Sequence, residues 1–191
     1  GVYDRRREFI LTSSPSMDIL ISSNLERLIY LSSGCDAAKT KELMASLAGE
    51  GSYSVSDEMR EQMSDFRGGF ATQEENAAEI RRLYDKTGYL IDTHTGVASC
   101  VYRKYAAETG DKTKTVIAST ASPYKFLKSV MEAVSGTEKG AADEFSLIPE
   151  MERVSGVPVP AAIRDLEAAA IRHDRQCSPE KMRETVSDIL K

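Results

Sequence analysis

From Gly88 onward the chain alternates two kinds of segment. "YLI" (89–91) is a short apolar run, and "DTHTGVASCVYRKY" (92–105) has helical spacing with Val97, Val101 and Tyr105 on one stripe. "TVIAS" (115–119) is a second short run rich in β-branched residues, and "SPYKF" (122–126) opens another helix. A strand, helix, strand, helix order predicts parallel strands with helices packed on them, an α/β fold. In such sheets ligands sit at the carboxyl ends of the strands. Residues 92 to 95 and 119 to 122 occupy those ends, so the chemistry is expected there.

The rest of the chain is read around that alternation. Ser14-Pro15, Ser122-Pro123 and Ser178-Pro179 each set a capping hydroxyl before a proline at the first helical position, where its missing N–H costs nothing. The first predicts a long helix over about 15 to 32, with Met17, Ile21 and Leu28 on its stripe, Asn24 interrupting and Gly34 closing it. Residues 36 to 88 show no strong strand signal, and "TQEENAAEIRRLYDKTG" starts with a Thr72 to Glu75 capping box and stops at Gly88. A helical insertion is expected there. Past "SGTEKGAADEF" (135–145) the chain becomes loop-rich, and a last helix from Pro179 is expected to bury Met182, Val186 and Ile189. The expected division is 1–35 as the start of the α/β portion, 36–88 as the insertion, 89–135 as the α/β core and 136–191 as a loop-rich segment ending in a helix.

Composition removes several classes of function. Hydrophobic residues make up 41% and charged residues 29%, as in ordinary water-soluble domains. No apolar run approaches the ~20 residues of a membrane-spanning helix. The formal net charge is −5 and the one dense basic cluster is Arg5, Arg6 and Arg7, which argues against nucleic acid as a partner. Cys35, Cys100 and Cys177 are widely spaced and form no CxxC pair, so a cytoplasmic protein without a disulfide framework is expected. The first residue is Gly1, and the stretch after it has the character of neither a signal nor a transit peptide. A longer chain from which this one is cut is therefore expected. Only His94 and His173 could serve a metal as imidazoles, and neither has carboxylates at ligand spacing, so no metal site is expected. Asp92 and His94 lack the G-x-S-x-G elbow of a hydrolase, and no glycine-rich phosphate loop is present. By pattern alone His94 reads as a helix-capping turn residue, and Lys125 as structural.

Three stretches together carry a resemblance. "TSSPSMDILISSNLERLIY" (12–30), "GYLIDTHTGVA" (88–98) and "VIASTASPYKF" (116–126) resemble, in this order and at these separations, the C-terminal portion of the threonine synthase family. The likeness covers essentially the whole chain, and the first stretch is the most specific because it is long and compositionally unusual. The family belongs to the tryptophan-synthase-like, fold type II group of pyridoxal-phosphate enzymes. Its members are lyases that convert O-phospho-L-homoserine and water to L-threonine and phosphate, the last step of threonine biosynthesis. The resemblance implies part of a parallel-sheet domain for pyridoxal 5'-phosphate with a helical insertion. In the family the Schiff-base lysine and the glycine-rich phosphate loop lie in the N-terminal portion. It therefore implies no catalytic residue here, one wall of an active site, and a chain inactive by itself.

The same resemblance implies the site residues. Thr120 is in the matching place of the strand-end hydroxyl that hydrogen-bonds the cofactor's pyridine nitrogen, with Ser119 taking that role if the register slips by one. "DTHT" looks like the family's D-P-H-T with Thr93 in place of proline, which implies Asp92 near the ring's phenolic oxygen and His94 on the same wall. Asp92 is then expected to be buried and hydrogen-bonded. Ser14, Ser16 and Asp18 of "SSPSMD" would border the substrate pocket, although simple N-capping explains Ser14 equally well. One departure is Ser122, where the family often has histidine before Pro-Ala-Lys-Phe. Two other readings stay open at this point: a threonine-synthase-like phospho-lyase, and a non-catalytic α/β binding module.

Overall fold

The computed structural model describes residues 1–140, 143–172 and 174–191, so His173 and part of the loop after Ser135 lie outside the described residues. Two compact units are present, residues 1–157 and 158–191.

The first unit opens with β1 (Val2–Asp4), which pairs antiparallel with β2 (Ser52–Ser54) so that Tyr3 stands opposite Tyr53. The Tyr3 and Tyr53 rings pack at 5.0 Å between centroids. β2 falls inside the stretch expected to be a helical insertion without a strong strand signal. Three residues are too few to leave an alternation legible in the sequence. Around this ladder lie α1 (Leu25–Ser32), α2 (Ala37–Gly49) and α3 (Asp57–Gln62), which bury Ile29, Leu43, Leu47, Tyr53, Val55 and Met59 together.

The long helix expected over 15 to 32 does not form. Pro15–Met17 is a single 3-10 turn, and helix resumes only at Leu25. Asp18 accepts hydrogen bonds from Thr12 N (2.7 Å) and Thr12 Oγ1 (2.7 Å), which folds the chain back on itself at the point where a helix would have to run straight. Met17 and Ile21 are exposed, so their stripe has no packing to stabilise it.

The second half of the unit is α4 (Gln73–Thr87), α5 (Thr93–Thr109), α6 (Leu127–Ser135) and α7 (Ile148–Ser155), with α4 packed on both α5 and α6. The capping box of α4 is present: Thr72 N donates to Glu75 Oε2 (2.8 Å), and Glu75 N donates to Thr72 Oγ1 (3.2 Å). Gly88 ends the helix in the left-handed region at φ 71°. The face of α5 that is buried differs from the expected one. Val97, Val101 and Tyr105 are only half-buried, whereas Thr95, Gly96, Ser99 and Cys100 are buried. Gly96 explains the choice, because a Cβ there would lie 2.2 Å from Asn76 Oδ1 and 2.9 Å from Ile80 Cγ1. Without a side chain at 96, α4 closes onto α5 along the small-residue face.

Neither 89–91 nor 115–119 is a paired strand among the described residues; the only ladder is β1 with β2. Leu90 and Ile91 are buried, while Val116 is 94% exposed. A strand needs a neighbouring edge, and these two runs do not provide one for each other. Of the three Ser-Pro starts, only Ser122 caps with its hydroxyl, accepting from Tyr124 N at 3.2 Å; Ser14 and Ser178 make no capping side-chain bond.

The second unit holds α8 (Ala161–Arg164) and α9 (Met182–Ile189). The last helix forms where expected, but Met182, Val186 and Ile189 are exposed rather than buried. None of the unit's described residues is buried, so it offers the stripe no core to enter. Among the described residues no helix is long and apolar enough to cross a membrane.

Candidate functional site

The N-terminus of α5 is where the three distinctive sequence stretches meet. Asp92 is fully buried and is the N-cap: its Oδ1 accepts from His94 N (2.8 Å) and Thr95 N (3.3 Å), and its Oδ2 accepts from the Thr95 hydroxyl. A carboxylate here satisfies orphan main-chain donors and lies at the positive end of the helix dipole. The cap is therefore Asp92 and not His94. The His94 ring leans on Phe126, with centroids 4.8 Å apart. Its Nδ1 lies 3.5 Å from Asp92 Oδ1, an electrostatic contact without hydrogen-bond geometry, which leaves that buried nitrogen without a donor or acceptor.

Two threonines of the same turn tie in the other stretches. Thr93 Oγ1 donates to Ser13 O at 2.9 Å, fastening the 12–18 loop. Thr95 Oγ1 lies 2.9 Å from Ser119 Oγ, fastening the 115–121 segment. From α4, Gln73 Oε1 accepts from Ser13 N (3.1 Å) and Ser13 Oγ (2.9 Å), and Asn76 Nδ2 reaches Ser13 Oγ at 3.4 Å. Ser13, Gln73, Asn76 and Thr93 line a cavity of about 370 Å³. His94 lines a second recess of about 780 Å³ with Arg67, Tyr102 and Val116.

The expected site residues fall into distinct environments. Ser119 and Thr120 are exposed; Ser119 is engaged by Thr95, and Thr120 makes no hydrogen bond among the described residues. Ser14 is buried, with its Oγ unpartnered. Ser16 is exposed on the 3-10 turn, and Asp18 spends both oxygens on Thr12. The expected helix start at Pro15 is a turn of three residues, too short to concentrate N–H groups on an anion. Thr95, Gln73 and Asn76 were not singled out from the sequence, and Thr93 was noted only as a replacement for proline. The T-x-T spacing in "DTHT" was the available signal, since it sets two hydroxyls on the first helical turn beside the capping aspartate.

α5 is held from behind by a buried carboxylate. Glu79, 2% exposed, accepts from Ser99 Oγ (2.6 Å), Arg82 Nε (2.8 Å) and Nη2 (2.6 Å), and Arg103 Nη1 (2.5 Å). The Arg82 hydrogen bonds outweigh the opposing cost of burial and, with Ser99 and Arg103, hold its carboxyl down to about 2. Ser99 and Arg103 belong to α5, so the pair of helices is pinned through one acidic group.

Hydroxyl-bearing loops gather at the capped start of α5, in a mixed α/β unit whose described residues hold one strand pair. Two solved structures overlay on this fold. A PLP-bound threonine synthase from Brucella melitensis overlays with a TM-score of 0.65 at 32% identity, covering 89% of this chain and 32% of that one. Threonine synthase from yeast overlays with a TM-score of 0.75 at 26% identity, covering 100% of this chain and 38% of that one. Residues 95–172 match the family described as threonine synthase, C-terminal. Among curated proteins, threonine synthase of Saccharomyces cerevisiae is 33% identical over 171 residues, which is 81% of this chain and 33% of that protein. Threonine synthase-like 1 of Homo sapiens is 36% identical over 137 residues, 70% of this chain and 18% of that protein. The chain belongs to the threonine synthase family, and what it matches is the family's C-terminal part. It spans a third or less of the length of these curated relatives.

Proposed function

We propose that the chain is the C-terminal part of a cytoplasmic threonine synthase. Joined to an N-terminal portion of the same protein, it forms one wall of a pyridoxal-phosphate site. There O-phospho-L-homoserine and water become L-threonine and phosphate, the last step of threonine biosynthesis. The observation that carries the proposal is the convergence of "SSPSMD", "DTHT" and "STASP" on the start of α5, through Thr93 to Ser13 and Thr95 to Ser119. Exposed apolar residues outside helices, Phe9, Ile10, Leu11 and Val116, support packing partners supplied by that other portion.

The residues present fit the cofactor. Thr120 has an uncommitted, exposed hydroxyl, and the His94 ring packs on Phe126 beside Asp92, the two ring planes inclined at 43°. When bound, pyridoxal phosphate supplies an electron sink for carbanion chemistry on an amino acid. Thr120 donates a hydrogen bond to the ring nitrogen and, because a hydroxyl keeps its proton, leaves that nitrogen neutral. Asp92 and His94 shape the side of the ring pocket, with Asp92 acting through the helix it caps. Ser14, Ser16 and Asp18 border the substrate, with Ser14 Oγ a buried hydroxyl without a partner and Ser16 an exposed one. The Schiff-base lysine lies in the N-terminal portion, so this chain alone is inactive.

Thr120→Val in the full-length protein should remove most threonine formation and shift the cofactor absorbance. Wild-type turnover by that variant would sink the assignment. A second reading is a threonine-synthase-like phospho-lyase that eliminates phosphate without making threonine; its support is that one relative, 36% identical, bears the name threonine synthase-like 1 rather than threonine synthase. Phosphate released from O-phospho-L-homoserine without matching threonine would decide for it.

A further inference from the structure

We propose that Asp92, Thr95 and Ser119 form a proton-ordered latch, with Thr95 a positioning residue that accepts the hydrogen bond donated by the Ser119 hydroxyl and leaves Thr120 as the donor at that segment's end. This rests on the cofactor reading above and assigns the roles of two adjacent hydroxyls within it. The argument is a count of protons. Asp92 Oδ1 already accepts two main-chain N–H groups, and Oδ2 accepts the Thr95 hydroxyl. A threonine hydroxyl has one proton and two lone pairs. With that proton on Asp92, the 2.9 Å contact between Thr95 Oγ1 and Ser119 Oγ is closed only by the proton of Ser119. Ser119 then offers nothing but a lone pair to a ligand. Thr120, which makes no hydrogen bond among the described residues, keeps its own proton to give.

The same contact governs the position of the segment. From Val116 to Ala121 no other hydrogen bond, main-chain or side-chain, is made among the described residues. Apart from the packing of half-buried Ile117 and Ala121, the segment that carries Thr120 is thus held by one hydroxyl pair. Its far end is a completely buried carboxylate capping a 17-residue helix, which does not move freely. Thr95 therefore fixes both the direction of a proton and the location of its neighbour's donor.

The test uses the full-length protein and pyridoxal phosphate labelled with ¹⁵N in the ring, following cofactor affinity by titration of the apoprotein and the ring nitrogen by NMR. Thr95→Val and Ser119→Ala should each weaken cofactor binding about fivefold, the worth of one net hydrogen bond. The double variant should be no weaker than Thr95→Val alone, because both single changes remove the Thr95–Ser119 bond and Thr95→Val removes the Thr95–Asp92 bond besides. Thr95→Ser should restore affinity, which a purely steric role for Thr95 would not predict. Thr120→Val should move the ¹⁵N resonance away from its hydrogen-bonded position, and Ser119→Ala should leave it in place. Additive losses in the double variant, or a resonance that follows Ser119 and ignores Thr120, would overturn the latch. If the wild-type protein takes up no cofactor, the functional reading fails instead. The same double-mutant cycle read by thermal unfolding then tests the latch alone: non-additive losses support it and additive ones reject it.

Discussion

Replacing Glu79 by glutamine tests whether the α4 and α5 pair is held by charge. The wild-type carboxyl is lowered from its usual 4.5 to about 2, chiefly by Arg82. Such a difference corresponds to at most ~3.4 kcal/mol of stability at neutral pH. Arg82 and Arg103 are 35% and 53% exposed, so solvent screening reduces the figure to about 2 kcal/mol. Because the folded value lies below the unfolded one, this stability is fully present above pH ~4.5 and is lost as pH falls through about 2. Glutamine keeps the shape and one acceptor but leaves two guanidinium groups without a countercharge. Urea unfolding of the wild type and Glu79→Gln, measured from pH 7 down to pH 2, should give a difference of about 2 kcal/mol at neutral pH that closes across the acid range. A difference that stays constant with pH, or widens as pH falls, would refute the charge argument and leave only packing.

Two further outcomes are expected. Gly96→Ala forces a Cβ to 2.2 Å from Asn76 Oδ1 and should destabilise the first unit by about 2 kcal/mol or more in thermal unfolding, with no change if α4 can simply back away. Met182→Ser removes an exposed side chain from α9 and should change stability by less than about 0.5 kcal/mol, whereas a large loss would mean that the stripe is covered.

What was legible in the sequence was chemistry written in adjacent residues. The Thr72 to Glu75 box, the Gly88 stop and the Ser122 cap are local devices, and each stands where its residues indicate. Asp92 was expected to be buried and hydrogen-bonded, and it is. Long-range choices were not legible. Periodicity favoured Val97, Val101 and Tyr105 as the buried face of α5, but the neighbouring helix selects the face it can approach most closely, and Gly96 with Ser99 and Cys100 allows the closer approach. Likewise "MDILI" has the spacing of a helix, yet Asp18 finds a better partner in Thr12 and turns the chain. The runs at 89–91 and 115–119 have strand composition, but pairing belongs to two segments at once and no single run encodes it.

The candidate site is best understood as the front of a helix whose back is fixed. Glu79 gathers Ser99 and Arg103 of α5, and Asn76 and Ile80 close on Gly96, so α4 grips α5 along several turns. At the front, Asp92 caps α5 and only hydroxyls reach outward, Thr93 to the 12–18 loop and Thr95 to Ser119. Small side chains suit that work, since a threonine on a first helical turn has little rotamer freedom to lose and can link a carboxylate to a neighbouring segment with one atom. The arrangement also separates two kinds of damage. Loosening the back, as in Glu79→Gln, lowers stability and moves both loops together, whereas Ser119→Ala releases one segment while the Thr95 bond to Asp92, the helix and the Ser13 contact stay in place. Loss of cofactor affinity without loss of folded protein is therefore the signature that belongs to the front of the helix.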